Sequence, residues 1–196
     1  MPRKPQKRQA KQAKRHVRRI RYCVAMSLDG YIADSKEEAD WIVMEPEIDF
    51  NEIYSRFDTM LIGRRTFEWM KDHGGSGAEP GMQVYVCSRT LRQEDHPKVT
   101  ITADPEAVIA ELRKKPGKDI WLFGGGLLFR SLLDARLVDA VEVAVVPALI
   151  GGGIPLLPAP AKQVKLKLTG HKAYSKTGTV MLEYAVQYGT GSKRRR

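Results

Sequence analysis

A glycine followed by two arginines and a threonine marks the first place where this sequence could do chemistry. Gly63 ends a short apolar run at residues 59–62, and Arg64, Arg65 and Thr66 come directly after it. The free N–H groups at the start of a helix favour an anion, and arginine side chains add bidentate contacts to phosphate. The pattern predicts a phosphate-binding turn. A plain turn with a threonine cap and two solvated arginines is the alternative.

A run of three glycines marks a second such place. The apolar run at residues 119–123 ends in Gly124, Gly125 and Gly126, and Leu127 opens the next helical segment. Glycines lack the β-carbons that would keep a diphosphate away from the backbone. The spacing differs from the G-x-G-x-x-G fingerprint, and no acidic residue lies where that fingerprint requires one. The glycines therefore predict a diphosphate cradle outside the Rossmann class, or otherwise a simple corner in the chain.

A third strand end carries a hydroxyl group and a cation. Ser88 and Arg89 follow the apolar run at residues 83–87, where a solvated loop is the alternative. The carboxyl ends of parallel strands converge on one crevice, which is where α/β proteins bind ligands. The three strand ends together predict a site for a ligand that carries several phosphates.

The elements that position these residues alternate between strands and helices through most of the chain. Short apolar runs predict strands at residues 20–26, 59–62, 83–87, 99–102 and 119–123. Apolar spacing and capping residues predict helices at residues 47–57, 64–71, 104–114 and 127–137. Beyond residue 139, alternating patterns predict longer strands at residues 141–145, from 165 onward and at 179–188, with a hairpin turn at 176–178. The prediction is an α/β fold whose mixed, mostly parallel sheet is flanked by helices and ends in an antiparallel C-terminal hairpin.

The positive charge is concentrated at the two ends of the chain. The 196 residues carry a net charge of +10, yet residues 1–21 hold ten basic residues and no acidic one, and residues 193–196 add four more. The remainder has 19 basic and 23 acidic residues. This distribution predicts a basic tail at residues 1–19, one globular domain at 20–188 and a second basic tail at 189–196.

The cysteines and histidines give no sign of metal or disulfide chemistry. The sequence has two cysteines, each inside an apolar run, and four histidines, none of which pairs at ligand spacing. No metal site is therefore predicted, and a reducing, cytoplasmic compartment is expected. The zinc deaminase signature, H-x-E with P-C-x-x-C, is absent, which excludes deamination. No stretch approaches the roughly 20 apolar residues of a membrane span, so no membrane association is expected.

Four segments, taken in order, resemble the signatures of the dihydrofolate reductase-like superfamily. They read SLDGYIA at residues 27–33, GRRTFE at 63–68, GGG at 124–126 and VPALIGGG at 146–153. The chain is most similar to the reductase domain at the C-terminus of bacterial riboflavin-biosynthesis enzymes and to the stand-alone relatives of that domain. The resemblance covers about residues 20–188 and leaves both tails unexplained.

The resemblance implies a reductase that uses NADPH as cofactor and acts on a small substrate. That substrate would be a pteridine-like or ribosylaminopyrimidine-like heterocycle, or a carbonyl compound. Arg64 and Arg65 would bind the 2′-phosphate side of NADPH, Thr66 the phosphate at the helix start, and Ser88 and Arg89 would flank the adenosine. Arginine suits a phosphate monoester, which favours NADPH over NADH.

The remaining cofactor contacts implied by the resemblance come from backbone and small side chains. The three glycines would lie under the diphosphate with an unusual Gly-Gly peptide, and Ala25, Ile32 and Ala33 would line the nicotinamide pocket. The full set of predicted cofactor-binding residues is Ala25, Ile32, Ala33, Gly63, Arg64, Arg65, Thr66, Ser88, Arg89, Gly124, Gly125, Gly126 and Leu127.

A carboxylate on the first helix is the catalytic group that the resemblance implies. Dihydrofolate reductases use such a carboxylate to control protonation of the ring beside the accepted hydride. Glu45, Glu47, Asp49 and Glu52 are the candidates, and Asp49 is the prediction. A charge at the helix start that the helix dipole favours is the alternative role for Asp49.

Two partner hypotheses concern the chain ends and the late strands. The resemblance implies a homodimer formed through the late strands. The basic stripe in the N-terminal tail suits a phosphate backbone, so the rival hypothesis is a reductase fold recruited as an RNA- or ribosome-associated structural protein. A solvated tail without a partner is the third possibility.

Overall fold

The strands and helices alternate along the chain as the sequence predicts. The structure, a computed structural model, describes residues 16–189. The strands are β1 (Ile20–Ser27), β2 (Tyr31–Ala33), β3 (Phe57–Gly63), β4 (Gln83–Cys87), β5 (Thr100–Thr102), β6 (Asp119–Gly124), β7 (Ala140–Val146), β8 (Ile154–Pro155), β9 (Lys165–Ala173) and β10 (Val180–Gln187). The helices are α1 (Phe50–Ser55), α2 (Arg64–Asp72), α3 (Pro105–Lys114) and α4 (Gly126–Asp134), with a 3₁₀ turn at Gln93–Asp95. No helix in this part of the chain is long and apolar enough to cross a membrane.

Eight of the strands form one mixed sheet in the order β5-β4-β3-β6-β1-β7-β10-β9. The first six strands in this order, which end with β7, pair in parallel. Strand β10 pairs antiparallel with both β7 and β9. This confirms the predicted sheet and its antiparallel ending. A second sheet of two short strands, β2 and β8, was not predicted. It joins the segment after β1 to the segment after β7.

The central strands are buried on both faces, which explains their unbroken apolar sequences. Leu61 and Ile62 of β3 are fully buried and point to opposite faces. Leu61 belongs to the cluster that packs against α3 and α4, whereas Ile62 belongs to the cluster that contains Phe67 of α2. The carboxyl ends of β3 and β6 are therefore held between two packed layers.

Two helices differ in length from their predictions. The helix predicted at residues 47–57 is only α1, because Asp49 caps its first turn and the chain enters β3 at Phe57, which is 2% exposed. The helix predicted at residues 127–137 begins one residue earlier and ends at Asp134. Arg136 follows in the left-handed region with a φ of 60°, a conformation that stops a helix.

The folded domain begins before residue 20, where the N-terminal tail was predicted to end. Arg18 is 4% exposed, pairs with Asp58 and donates hydrogen bonds to Thr59 Oγ1 at 2.6 Å and to the Lys118 carbonyl at 2.8 Å. His16 lies 2.9 Å from Asp119. Residues 16 and 18, which the prediction assigned to the tail, therefore contact the folded domain. The rest of both predicted tails, and with it the nucleic-acid hypothesis, lies outside the described residues.

Candidate functional site

The two glycine turns lie side by side at one edge of the sheet. Strands β3 and β6 are neighbours, with Ile62 opposite Gly124. A β-carbon on Gly63 would lie 3.5 Å from the backbone nitrogen of Gly125, and one on Gly125 would lie 3.3 Å from Thr66 Oγ1. Side chains at these glycines would fill the space between the turns. The structure confirms that residues 63–66 and 124–127 lie together at one edge of the sheet, and a cleft for a polyphosphate ligand between them stays a prediction.

Both turns begin helices whose first backbone N–H groups receive no side-chain cap. Gly63 is the N-cap of α2 and Gly125 is the N-cap of α4, and neither residue has a side chain that could satisfy the first turn. The peptide between Gly124 and Gly125 is cis, the unusual peptide that the resemblance implies. Two helix starts of this kind form a surface that favours negative charge.

The two arginines at the start of α2 are exposed, and each has a carboxylate partner. The Arg64 guanidinium donates to Glu68 one turn later at 2.9 and 3.0 Å. The Arg65 guanidinium lies 3.6 Å from Glu37 in the loop after β2. A phosphate that binds at this helix start therefore has to compete with two carboxylates of the protein itself.

A cavity of about 380 Å³ opens beside the cleft, between the ends of β4 and β5 and the first turns of α3 and α4. We call it the β4–β5 cavity. Ser88, Arg89 and Leu128 are among the residues that line it. The Ser88 hydroxyl accepts hydrogen bonds from the N–H groups of Thr90 and Leu91, so it fixes the turn after β4. The structure thus brings Ser88 and Arg89 to the same edge as the glycine turns.

The predicted nicotinamide contacts lie at the ends of β1 and β2. Ala25 is in β1, between β6 and β7, whereas Ile32 and Ala33 form β2. Gly153 approaches Ala33 so closely that a β-carbon there would lie 2.1 Å from the Ala33 carbonyl, and its φ of +136° is one that other residues avoid. Glycine at position 153 therefore allows the loop after β7 to cover β2.

Asp29 of the SLDG segment holds these loops together, a role that the sequence analysis missed. Its carboxylate accepts hydrogen bonds from Ser27 Oγ at 2.6 Å, Gly151 N at 2.8 Å and Ile150 N at 3.1 Å. The Ser27 hydroxyl and these backbone N–H groups lower the pKa of Asp29. A charged carboxylate at this position ties the loop after β1 to the loop after β7.

The comparisons with known proteins agree with this architecture. The family model of the RibD C-terminal domain matches residues 18–180. The chain belongs to this family. Membership supports a reductase-type function for the chain.

Two proteins of Bacillus subtilis (strain 168) are relatives of this RibD C-terminal domain, and both are named as uncharacterized. YyaP is 30% identical over 178 residues, which is 85% of this chain and 94% of YyaP. YwjB is 31% identical over 167 residues, which is 82% of this chain and 94% of YwjB. The family is therefore shown by sequence, and the relatives leave the specific reaction open.

Solved structures share the fold at lower identity. A putative riboflavin biosynthesis protein from Shewanella sp. PV-4 has a TM-score of 0.74 at 24% identity, over 87% of this chain and 99% of the other. Dihydrofolate reductase from Enterococcus faecalis, complexed with NADP(H) and RAB-propyl, has a TM-score of 0.62 at 15% identity, over 87% and 97%. A deaminase/reductase from Thermotoga maritima has a TM-score of 0.65 at 16% identity, and the match covers 57% of that longer chain. The RibD C-terminal domain described here therefore has the dihydrofolate reductase-like fold.

The four candidate carboxylates of this RibD C-terminal domain fall into two groups. Glu45 is buried and accepts a hydrogen bond from the Thr177 hydroxyl at 2.6 Å, which lowers its pKa, and Glu47 pairs with Lys176 at 3.1 Å. These two glutamates attach the loop before α1 to the turn between β9 and β10.

Asp49 and Glu52 form the second group. The Asp49 carboxylate accepts a hydrogen bond from the Glu52 N–H at 3.1 Å and so caps α1, at the helix start where the sequence analysis gave a charge favoured by the helix dipole as the alternative role. Asp49 and Glu52 also line a second cavity, of about 330 Å³, between α1 and strands β7, β9 and β10. We call it the α1 cavity. The catalytic role of Asp49 stays a prediction, and the position of Asp49 at this cavity is compatible with it.

A buried ion-pair network under the α1 cavity was also missed. Glu142 of β7 is 2% exposed and accepts hydrogen bonds from Arg21 at 2.7 Å and from Arg56 at 2.8 Å. Burial alone would raise the pKa of Glu142, but the hydrogen bonds and positive charges of the two arginines outweigh it and hold that pKa below its usual range. The arginines are distant in sequence from Glu142, so no local sequence pattern predicts the network.

Proposed function

We propose that this RibD C-terminal domain is an NADPH-dependent reductase of a small heterocyclic or carbonyl substrate. The observation that carries the proposal is the contact of the two glycine turns around Thr66, where a β-carbon on Gly125 would lie 3.3 Å from the threonine hydroxyl. Glycine at these positions leaves backbone N–H groups open to a diphosphate. Bound NADPH would supply the hydride, and the residues of the chain would bind, orient and protonate.

Each part of the cofactor has a matching surface in the described residues. The helix starts at Gly63 and Gly125 suit the diphosphate, and the β4–β5 cavity beside Ser88 suits the adenosine. Arg64 and Arg65 lie at the first turn of α2, where a 2′-phosphate monoester would gain charge-assisted hydrogen bonds. Arginine at these positions supports NADPH rather than NADH as the cofactor.

The nicotinamide would lie over the end of β1 at Ala25, covered by the loops that Asp29 holds together. Small side chains at this point leave room for a flat ring. We propose that Asp49, at the mouth of the α1 cavity, controls the proton that accompanies hydride transfer. The cap hydrogen bond from Glu52 N fixes the position of the carboxylate.

A titration of NADPH, followed by nicotinamide fluorescence at moderate salt, tests the proposal. We expect micromolar binding to the full chain and roughly tenfold weaker binding to Arg64→Ala, because one charge-assisted phosphate contact is lost. The same substitution should change NADH binding little, because NADH has no 2′-phosphate.

Lys118→Ala is the matched control. Lys118 is exposed and precedes β6, so it lies at the opposite edge of the sheet from Gly124, and its replacement removes the same unit of charge. If both substitutions weaken NADPH binding equally, the effect comes from the net charge of the protein and not from a phosphate contact of Arg64. Absence of NADPH binding to the unaltered chain would overturn the proposal.

A further inference from the structure

The α1 cavity carries more polar groups than the fold requires. Its walls are α1 on one side and the ends of β7, β10 and β9 on the other, and its volume of about 330 Å³ lies in the lower part of the range for small-molecule sites. Four carboxylates line it, from Asp49, Glu52, Glu142 and Glu183. We infer that this cavity binds the hydride acceptor, and that the acceptor carries an amine or amidine cation which Glu183 recognises. The inference rests on the proposed reductase function.

The register of the sheet places the cavity beside the predicted nicotinamide contact. Ala25 of β1 is opposite Ala144 of β7, and Ala144 is opposite Met181 of β10, which lines the cavity. Residues opposite each other across strands share a face, and each strand adds about 4.8 Å, so Met181 lies about 10 Å from Ala25. A ligand with one end among the carboxylates would have to extend about 10 Å along this face to meet a nicotinamide at Ala25.

Glu183 is the lining carboxylate that faces a like charge and has no cationic partner among residues 16–189. It lies directly opposite Glu142 across β10 and β7, an arrangement of like charges that destabilises a sheet. Glu142 is neutralised by Arg21 and Arg56, but no cationic side chain among residues 16–189 lies within ion-pair distance of Glu183.

The backbone beside Glu183 is shaped around its carboxylate. The pairing of β10 with β9 shifts register between Glu183 and Tyr184, and the residue opposite Glu183 is Gly170. A β-carbon on Gly170 would lie 3.2 Å from Glu183 Oε2, so the glycine leaves the carboxylate free to lie over the strand. Such bulges are frequent next to ligand sites, where they redirect a side chain.

Two further polar groups at the cavity lack protein partners. Tyr174 is 7% exposed and lines the cavity, and its hydroxyl makes no hydrogen bond within residues 16–189. The Nε of Arg56, also a lining residue, is buried without a partner. The Arg56 guanidinium already pairs with Glu142, so the Tyr174 hydroxyl is the group that is independent of the carboxylates, and it marks the cavity as a place for a polar ligand.

The charges select a cation rather than an anion. The four lining carboxylates face the side-chain cations of Arg56 and Lys172, and Arg21 reaches Glu142 from beneath. Among the carboxylates and the Lys and Arg side chains, four negative charges face three positive ones, and a ligand with a single positive charge balances the remaining charge. The apolar part of the lining, from residues such as Ile53 and Met181, suits the carbon skeleton of such a ligand.

Benzamidine and its neutral isostere benzamide are the probes for this inference. With the full chain saturated in NADP⁺, we expect benzamidine to bind at least roughly tenfold more tightly than benzamide, measured by calorimetry. In Glu183→Gln that preference should disappear, while NADPH binding stays as in the unaltered chain. Because the substitution removes a like-charge contact with Glu142, the melting temperature should stay equal or rise.

Glu111→Gln on α3, far from the cavity in the fold, is the matched loss of one carboxylate and should leave the preference unchanged. Equal binding of benzamide and benzamidine, or a preference that survives Glu183→Gln, overturns the inference. If NADPH binds and benzamidine does not, the inference fails alone. If benzamidine binds with the expected preference and NADPH does not, the proposed reductase function fails, and the clause that makes the ligand a hydride acceptor fails with it.

Discussion

Asp49 combines two roles that a pair of substitutions can separate. As the N-cap of α1 it accepts a hydrogen bond from Glu52 N, and as a lining residue of the α1 cavity it is placed to hold a proton. Asparagine caps a helix as well as aspartate does but cannot donate or accept a proton in this way. We expect Asp49→Asn to keep the stability of the chain and to lower the turnover of a reducible substrate by roughly 10²-fold or more.

Asp49→Ala removes the cap as well, and should cost about 1 kcal/mol in the free energy of unfolding measured in urea. Full turnover in Asp49→Asn would show that Asp49 is only a cap. Glu52, the other carboxylate of its group, would then be the next candidate for the proton donor.

At the level of single residues, the sequence predicted where the glycines and arginines of the candidate site would lie. It did not predict the ion-pair partners of buried carboxylates. The arginines at the start of α2 and the glycines before α4 stand next to apolar runs, so local sequence locates them. Glu142 gives no such signal, because its partners Arg21 and Arg56 are 121 and 86 residues away in sequence. The role of Asp29 depends in the same way on backbone groups at residues 150–151.

The start of α4 depends on close packing against the segment around β8. A β-carbon on Gly126 would lie 2.8 Å from the Pro155 carbonyl and 2.9 Å from Pro158 Cδ. We expect Gly126→Ala to reduce the free energy of unfolding by about 1–3 kcal/mol, since a backbone atom has to move. NADPH binding should weaken as well, because the same helix start forms half of the cleft.

Gly152→Ala is the control for this substitution. A β-carbon on Gly152 would meet no atom within 4 Å, so its urea unfolding curve should match that of the unaltered chain. Similar stability losses at both positions would mean that chain flexibility, and not packing, is the property that glycine supplies.

At the level of elements, long apolar runs were predictable and short or capped elements were not. Strands β3 and β6 were found because burial on both faces leaves an unbroken apolar run. Strands β2 and β8 contain three and two residues, too few to show a period. Helix α1 ends early because Phe57 is buried in the core. The burial of Phe57 depends on the whole sheet and not on the local sequence.

The outermost strand bears on the proposed homodimer. Leu166 and Leu168 of β9 are 44% and 49% exposed, and their partners across the ladder are Val186 and Tyr184 of β10. Exposed apolar side chains thus extend to the outermost strand of the sheet. The homodimer through the late strands remains a proposal, and this face is the surface it would use.

For the molecule as a whole, the Glu142 network predicts how stability responds to acid. The network joins β1, α1 and β7, and the pKa of Glu142 lies below the ordinary value of 4.5. A carboxylate with a lowered pKa contributes stability above its unfolded pKa and loses that contribution as the pH falls through its folded pKa. The free energy of unfolding should therefore fall as the pH drops below 4.5.

Glu142→Gln should flatten this acid dependence, as measured by urea unfolding at a series of pH values. Arg56→Met should instead lower stability at neutral pH by about 1–3 kcal/mol, because the buried Glu142 carboxylate loses one of its two charge-assisted hydrogen bonds and keeps the one from Arg21. Glu106→Gln, at the exposed start of α3, is the control for the loss of one carboxylate. An unchanged acid limb in Glu142→Gln would assign the acid sensitivity to other groups.

The carboxylates that already hold Arg64 and Arg65 determine the kind of recognition available at the start of α2. In the proposed complex, a phosphate would replace Glu68 and Glu37 as the partner of guanidinium groups that are already paired. The net gain would then be the difference between two ion pairs and smaller than the phosphate pair alone would give. Under the proposed function, selection of a phosphorylated over an unphosphorylated ribose would therefore work as ion exchange, with Glu37, in the loop after Ala33, as one of the two carboxylates displaced.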